Sequence, residues 1–154
     1  MQENRFELFV TLTANASKEI QRLKAHKMQK YRLTAAHTNC ICRLAKAGSE
    51  GLTQTELVRL EMMDPSQISR VLRELWAKGY VQPEGEGGTY RRHYRLTEEG
   101  MRVARELDVI IEEIRGYVVD GLSEADMDTF YRVLGHISDR LAAAQEIYIG
   151  EDEP

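Results

Sequence analysis

Apolar and polar residues follow a helical rhythm over most of the chain, and one local device punctuates it. An apolar residue followed by a helix-capping residue occurs at Leu33-Thr34, Leu52-Thr53, Met63-Asp64, Leu96-Thr97 and Leu122-Ser123. In each pair the polar side chain can accept a hydrogen bond from the N–H groups that a first helical turn leaves without partners. Three pairs carry a reciprocal partner three residues on: Glu56 after Thr53, Gln67 after Asp64 and, as a weaker version, Asp126 after Ser123. The apolar residue finds a staple partner five positions later in Leu57, Ile68, Met101 and Met127. Pro65 follows Asp64 at the first helical position, where its missing N–H is harmless. These signals mark five helix starts. A sixth helix is expected near the N-terminus from the stripe Phe6, Phe9, Val10, Thr13, Ile20 and Leu23. The predicted helices cover roughly 3–28, 34–47, 54–60, 65–78, 97–118 and 123–148, with Gly48 and Gly79 stopping the second and fourth.

Between Gly79 and Thr97 the period changes. Tyr80-Val81 and the run from Tyr90 to Leu96 read as two strands joined by a glycine-rich hairpin loop, Glu84 to Gly88. Tyr90, Arg92, Tyr94 and Leu96 alternate with Arg91, His93 and Arg95, the period-2 signature of a half-buried strand. Pro83 suits a strand end or an edge. The fold class is therefore mainly α with a small β-hairpin wing.

The last two helices carry a further pattern. Val103, Leu107, Ile110, Ile114 and Tyr117 recur at alternating spacings of four and three, as do Met127, Phe130, Leu134, Ile137, Leu141, Ala144 and Tyr148. Each set is a coiled-coil-like seam. Ile111, Val118 and Tyr131 lie partly off the seams. They are expected to face a second subunit; an intramolecular helical pair is the alternative.

The segment from Gly51 to Gly79 has the form of a helix-turn-helix: a short helix, the tight connection Glu61 to Asp64, and a second helix. Ile68, Val71, Leu72 and Leu75 form the apolar stripe of that second helix, and Ser66, Gln67, Ser69, Arg70 and Arg73 occupy the other face. Short hydroxyls and an amide near a helix N-terminus allow close approach to a duplex, where the helix dipole also favours phosphate. Arg can make paired hydrogen bonds to guanine and Gln to adenine. Arg91 and Arg92, just past the glycine-rich tip, are placed to reach phosphate or the adjacent minor groove. A solvated hairpin whose charges discourage edge pairing is the plainer alternative for the same residues.

Composition changes this picture in one respect. The 154 residues carry a net charge of −4 with 30% charged and 7% aromatic residues, as in a helical protein of one compact domain. The average hides an asymmetry: residues 1–46 hold nine Lys/Arg against three Asp/Glu, and residues 106–154 hold three against thirteen. Counterions are released only from phosphates that are contacted, so an acidic total leaves room for a basic face. The chain shows no apolar run of bilayer length, and no signal-peptide core follows Met1, so a cytoplasmic address with no membrane association is expected. Cys40 and Cys42 are too close on one helix to pair, and with no ligand-spaced Cys or His they make no zinc site. His26, His37, His93 and His136 do not cluster in sequence. No phosphate-cradling loop or nucleophile motif is present, so neither catalysis nor a cofactor is expected.

The stretch from Leu33 to Gly100 resembles the MarR family of bacterial regulators. The matching pieces are "LTQTEL", "SQISRVLRELWAKGYV" and "RLTEEG", and the long N-terminal helix and "LSEADMDTFYRVLGHISDRL" fit that family's two-part dimerisation region. The resemblance implies a triangular homodimer with two winged helix-turn-helix lobes that binds double-stranded DNA. Residues 1–33 and 98–150 would form the dimerisation region, 34–97 the DNA-binding region and 151–154 a disordered tail. It further implies that Gln54 and Thr55 touch phosphate, and that Ser66, Gln67, Ser69, Arg70 and Arg73 lie in or beside the major groove. A phenolic or anionic small molecule, or an oxidant, would weaken DNA binding from a pocket between dimerisation helices and lobe. His37 and Cys40, on the apolar face of helix 34–47, are the candidate ligand contacts. The expected function is a repressor released from an inverted-repeat operator. One departure concerns the wing: where family members place an acidic residue with Arg near the tip, this chain has Gly88, Thr89 and Tyr90. "GTYRRHYRLTEEG" instead resembles the PadR family, although long capped helices at both ends fit that family less well. A PadR-like regulator, a winged helix used for protein contacts, and redox or metal sensing are the alternatives.

Overall fold

A computed structural model describes residues 4–84 and 92–149. All six expected helices are present: α1 (Arg5–Met28), α2 (Ala35–Ala47), α3 (Gln54–Glu61), α4 (Pro65–Ala77), α5 (Glu98–Val118) and α6 (Glu124–Tyr148). Single 3-10 turns extend α1 over Gln29–Tyr31 and α2 over Gly48–Glu50. The capping signals act as expected. Thr34, Thr53 and Ser123 each accept a bond from the backbone N–H three residues on, and Thr97 Oγ1 accepts from Gly100 N at 3.1 Å. At α3 the box is reciprocal, with Glu56 accepting from Thr53 N at 2.7 Å. That backbone bond, together with the Thr53 hydroxyl, holds the Glu56 carboxyl below its ordinary value. The start of α1, which carried no recognised cap, uses Asn4, whose Oδ1 accepts from Phe6 N at 3.2 Å.

The sheet has one strand more than the hairpin expected. Its order is β1-β3-β2, all antiparallel, with β3 (His93–Leu96) in the centre, β2 (Val81–Glu84) on one side and the two-residue β1 (Leu52–Thr53) on the other. β1 gave no period-2 signal because it is too short to alternate, and Thr53 already served as a helix cap. Pro83 lies on an edge strand opposite Tyr94, where an absent N–H is tolerated. Tyr90, Arg91 and the glycine-rich tip lie outside the described residues, as do residues 151–154.

The chain divides into two units, Met1–Ile114 and Arg115–Pro154, with α5 crossing from one to the other. In the first unit a single core joins Leu44 of α2, Leu57 of α3, Ile68 and Leu72 of α4, Val81 of β2 and Tyr94 of β3. Met28 at the end of α1 and Val103, Ala104, Leu107 and Ile110 of α5 belong to the same core. Three positions of the seam expected to pair α5 with another helix are thus occupied inside this unit. Met28 is the one buried residue among those described in α1; Phe6, Val10, Ile20 and Leu23 of its apolar stripe remain exposed. The second unit contains α6, in which no described side chain is buried.

Two glycines permit close approaches on which the sheet and α5 depend. Gly51 has φ +65° and passes against the Tyr94 carbonyl. Gly100 sits in the first turn of α5 against the Tyr80 carbonyl oxygen, into which a methyl group would project. The obstacle is backbone rather than a flexible side chain, so relief requires α5 to move. Gly100→Ala is expected to destabilise the fold by about 1–3 kcal/mol, the usual cost of overpacking. Urea unfolding followed by the fluorescence of the single tryptophan, Trp76, measures it.

Candidate nucleic-acid interface

α3 and α4 meet through a turn that has no glycine. Met62, at the C-cap of α3, takes the left-handed conformation (φ 51°) and leaves its side chain in solvent. Met63 and Asp64 complete the connection, and Gln67 Oε1 accepts from Asp64 N at 3.3 Å to close the start of α4. Behind the turn, Gln54 Nε2 donates to the Pro65 carbonyl at 3.3 Å. Arg43 on α2 donates from Nε to Glu61 Oε1 at 2.7 Å and from Nη2 to the Leu60 carbonyl, one of the acceptors left open at the end of α3. These bonds fix the angle between the two helices.

With Ile68, Val71, Leu72 and Leu75 buried, α4 must turn its other face outward. Ser66, Ser69, Arg70 and Arg73 fall at positions i, i+3, i+4 and i+7, which is one stripe of a helix. Ser66, Gln67, Arg70 and Arg73 are exposed; Ser69 is half-buried at the edge of the stripe. The structure therefore brings together the five α4 residues expected from sequence. Thr55 is also exposed, in the first turn of α3. Gln54 is not: at 8% exposure, with its amide spent on Pro65, it braces the turn from inside rather than facing a phosphate. Adjacent helix positions point about 100° apart, so the phosphate contact that the resemblance implies for both residues is open in this fold to Thr55 and not to Gln54.

The wing sheet is anchored by Arg95 and His93, two residues of the alternating strand pattern. Arg95 donates to the Ser49 carbonyl at 3.1 Å and pairs with Glu84 across the sheet. His93 Nδ1 lies 3.0 Å from the Glu50 carbonyl. Arg92 is half-buried, and Arg91 lies outside the described residues.

His37 and Cys40 sit in the core. His37 is 5% exposed and both ring nitrogens are engaged: Nδ1 with the Thr34 backbone N–H at 3.0 Å, Nε2 with Glu74 Oε2 at 2.7 Å. No ring nitrogen is left for a ligand in this arrangement. The reciprocal partner of the α2 cap is thus a histidine, a residue that the capping pattern Glu or Gln did not anticipate. Cys40 is fully buried, and burial, with a lesser push from Glu61, drives its thiol up to about 12. Burial also raises the Cys42 thiol. Neither has the thiolate character that oxidant sensing requires. Among the described residues no group of three or more His, Cys, Asp or Glu could hold a metal ion.

No protein-family model matches the chain, and no curated protein matches it by sequence. Solved structures do match. S. aureus MarR in complex with salicylate and kanamycin superposes with a TM-score of 0.81 at 14% identity, over 92% of this chain and 95% of that one. A MarR family transcriptional regulator from Listeria monocytogenes complexed with 26mer DNA gives 0.78 at 15% identity, over 100% and 98%. The S. aureus MepR–DNA complex gives 0.75 at 20% identity, over 86% and 97%. The fold is that of the MarR regulators. The Listeria regulator's superposition runs over the full length of this chain, the long helices at both ends included.

Cys40 offers a direct check on the buried reading of the α2 face. In a Cys42→Ser background, alkylation of Cys40 at pH 7.5 should run about a thousandfold slower than that of a free thiol and reach the free-thiol rate only in denaturant. Because the folded thiol is raised, its contribution to stability is complete below about 9, the unfolded value, and is lost as pH climbs toward 12. Rapid labelling of the native protein would place the residue at an accessible site instead.

Proposed function

We propose that this chain is a DNA-binding transcriptional regulator: a cytoplasmic homodimer that represses from an inverted-repeat operator and is released by a small phenolic or anionic molecule. The observation that carries the reading is the outward face of α4, where two exposed arginines follow two short hydroxyl residues on one helical stripe. A helix presented this way fits the major groove, with hydroxyls allowing close approach and guanidinium groups long enough to reach base edges. Two of the similar structures are held with DNA and one with salicylate, which supports both the duplex and a small-molecule effector. Redox control gains no support from two thiols held neutral by burial. No helix among the described residues is long and apolar enough to cross a membrane, which is compatible with the cytoplasmic address.

Uncovered apolar surface supports the dimer. On α6, Phe130 (53%), Tyr131 (60%) and Tyr148 (75%) are exposed, and the α1 stripe is exposed too. Aromatic surface of this extent is characteristic of an interface rather than of a monomer's skin. A second copy supplies a cover with two-fold symmetry.

Two experiments test the proposal. In the first, DNA selected from random sequence by the purified protein should yield an inverted repeat with half-sites about one helical turn apart. Arg70→Ala should weaken binding to that duplex by about 1–3 kcal/mol while leaving thermal unfolding unchanged. A protein that selects no sequence, or an Arg70→Ala variant of undiminished affinity, overturns it. In the second, sedimentation should give a dimer for the native chain and a predominantly monomeric species for the pair Phe130→Glu and Leu141→Glu. Each buried charge at a protein interface costs about 2 kcal/mol or more. A monomeric native chain at micromolar concentration would rule the dimer out.

A further inference from the structure

One carboxylate ties the outward face of α4 to the core. Glu74 lies one turn after Arg70, and its Oε1 stands 4.0 Å from Arg70 Nε. Its other oxygen, Oε2, is 2.7 Å from Nε2 of His37 on α2, a side chain only 6% exposed. The direction of that bond follows from the far side of the ring. His37 Nδ1 faces the backbone N–H of Thr34 at 3.0 Å, a group that can only donate, and the Thr34 hydroxyl at 2.9 Å, which accepts from His37 N and is free to turn its own proton to the ring. Nδ1 therefore accepts, the ring proton resides on Nε2, and Nε2 donates to Glu74. The sequence Thr34, His37, Glu74, Arg70 is a continuous polar chain from the N-cap of α2 to the solvent face of α4.

An isolated Arg–Glu pair one turn apart on an exposed helix contributes little, because two long side chains must be ordered to make it. Here one of the two is already fixed. The buried imidazole holds Glu74, so only Arg70 has rotamers left to lose. We infer that Glu74, anchored by His37, orients the Arg70 guanidinium toward the groove, making Glu74 and His37 positioning residues that set sequence discrimination through Arg70. The inference rests on the DNA-binding reading above and adds to it the element that shapes specificity. Contacts to phosphate fix a protein on DNA whereas base-edge contacts select sequence, so a residue acting only through Arg70 should affect the second far more than the first.

The test compares two labelled duplexes, the one selected by the native protein from random DNA and a scrambled version of equal length, by fluorescence anisotropy. Glu74→Gln keeps an oxygen for His37 Nε2–H and removes the charge that holds Arg70. The ratio of selected to scrambled affinity is expected to fall about tenfold, a part of what one bidentate base contact supplies. Affinity for the scrambled duplex should rise, since a carboxylate beside the phosphates is gone. Glu74→Asp keeps the charge but is too short to span both partners; it should lower the ratio without raising scrambled affinity. His37→Asn, which keeps an acceptor for the Thr34 N–H but is too short to reach Glu74, should lower the ratio in the same direction. In an Arg70→Ala background none of the three should lower it further. Circular dichroism and Trp76 emission establish that each variant is folded, and Glu74→Asp and His37→Asn carry the test if Glu74→Gln is not. An equal loss with and without Arg70, or an unchanged ratio in the folded single variants, overturns the inference while leaving the DNA-binding reading intact. A native protein that distinguishes no duplex from its scramble overturns both.

Discussion

The seating of α4 is the constraint from which the interface follows. Ile68, Val71, Leu72 and Leu75 are buried in the core that α4 shares with its neighbours α2, α3 and β2, and each is worth about 2 kcal/mol relative to exposure. No local term in the helix competes with that. A good N-cap contributes about 1 kcal/mol and an exposed charge pair a few tenths. Rotating α4 by one residue would move every apolar side chain about 100° and forfeit most of the burial. The outward direction of Ser66, Arg70 and Arg73 is therefore decided by the core and not by any property of those residues themselves.

What the core leaves open is where along its axis, and at what angle to α3, that face is presented. Polar contacts inside the turn settle this: Gln54 reaches Pro65 beneath it, Gln67 closes the start of α4, and Arg43 closes the end of α3. Met62 holds a left-handed backbone where glycine would carry no steric penalty. That strain is small beside the burial of Leu57 and Ile68 on either side of the turn, so the turn accepts it.

The same division between local and long-range causes explains what could be read from the sequence. Helix starts were legible because a cap and its partner lie three residues apart, and the α4 faces were legible because a periodic stripe encodes them. β1 was not, since two residues carry no period. Gln54 was misjudged because its partner lies across a turn, at Pro65. The period-2 pattern places Arg95 on one face of its strand but cannot show its partner, the Ser49 carbonyl forty-six positions away. Glu74 carried no signal at all: it reads as one half of an ordinary surface pair until His37, thirty-seven residues earlier, is brought against it. The α5 seam was real as a pattern, but a pattern cannot say which surface it packs on, and Val103, Leu107 and Ile110 serve the winged unit.

The acidic balance of the chain fits the proposed role. A uniformly basic protein gains affinity for every stretch of duplex in proportion to the phosphates it neutralises, and that gain carries no sequence information. Here the excess of acid lies in residues 106–154, whereas the α4 face carries Arg70 and Arg73 with Glu74 one position beyond. Such a surface keeps non-specific attraction low, so that a few base-edge contacts make up a large share of the total. In that setting the orientation of one guanidinium matters more than the number of cations. A carboxylate next to Arg70 subtracts from raw affinity, and the proposed orientation of the guanidinium offsets that loss in discrimination.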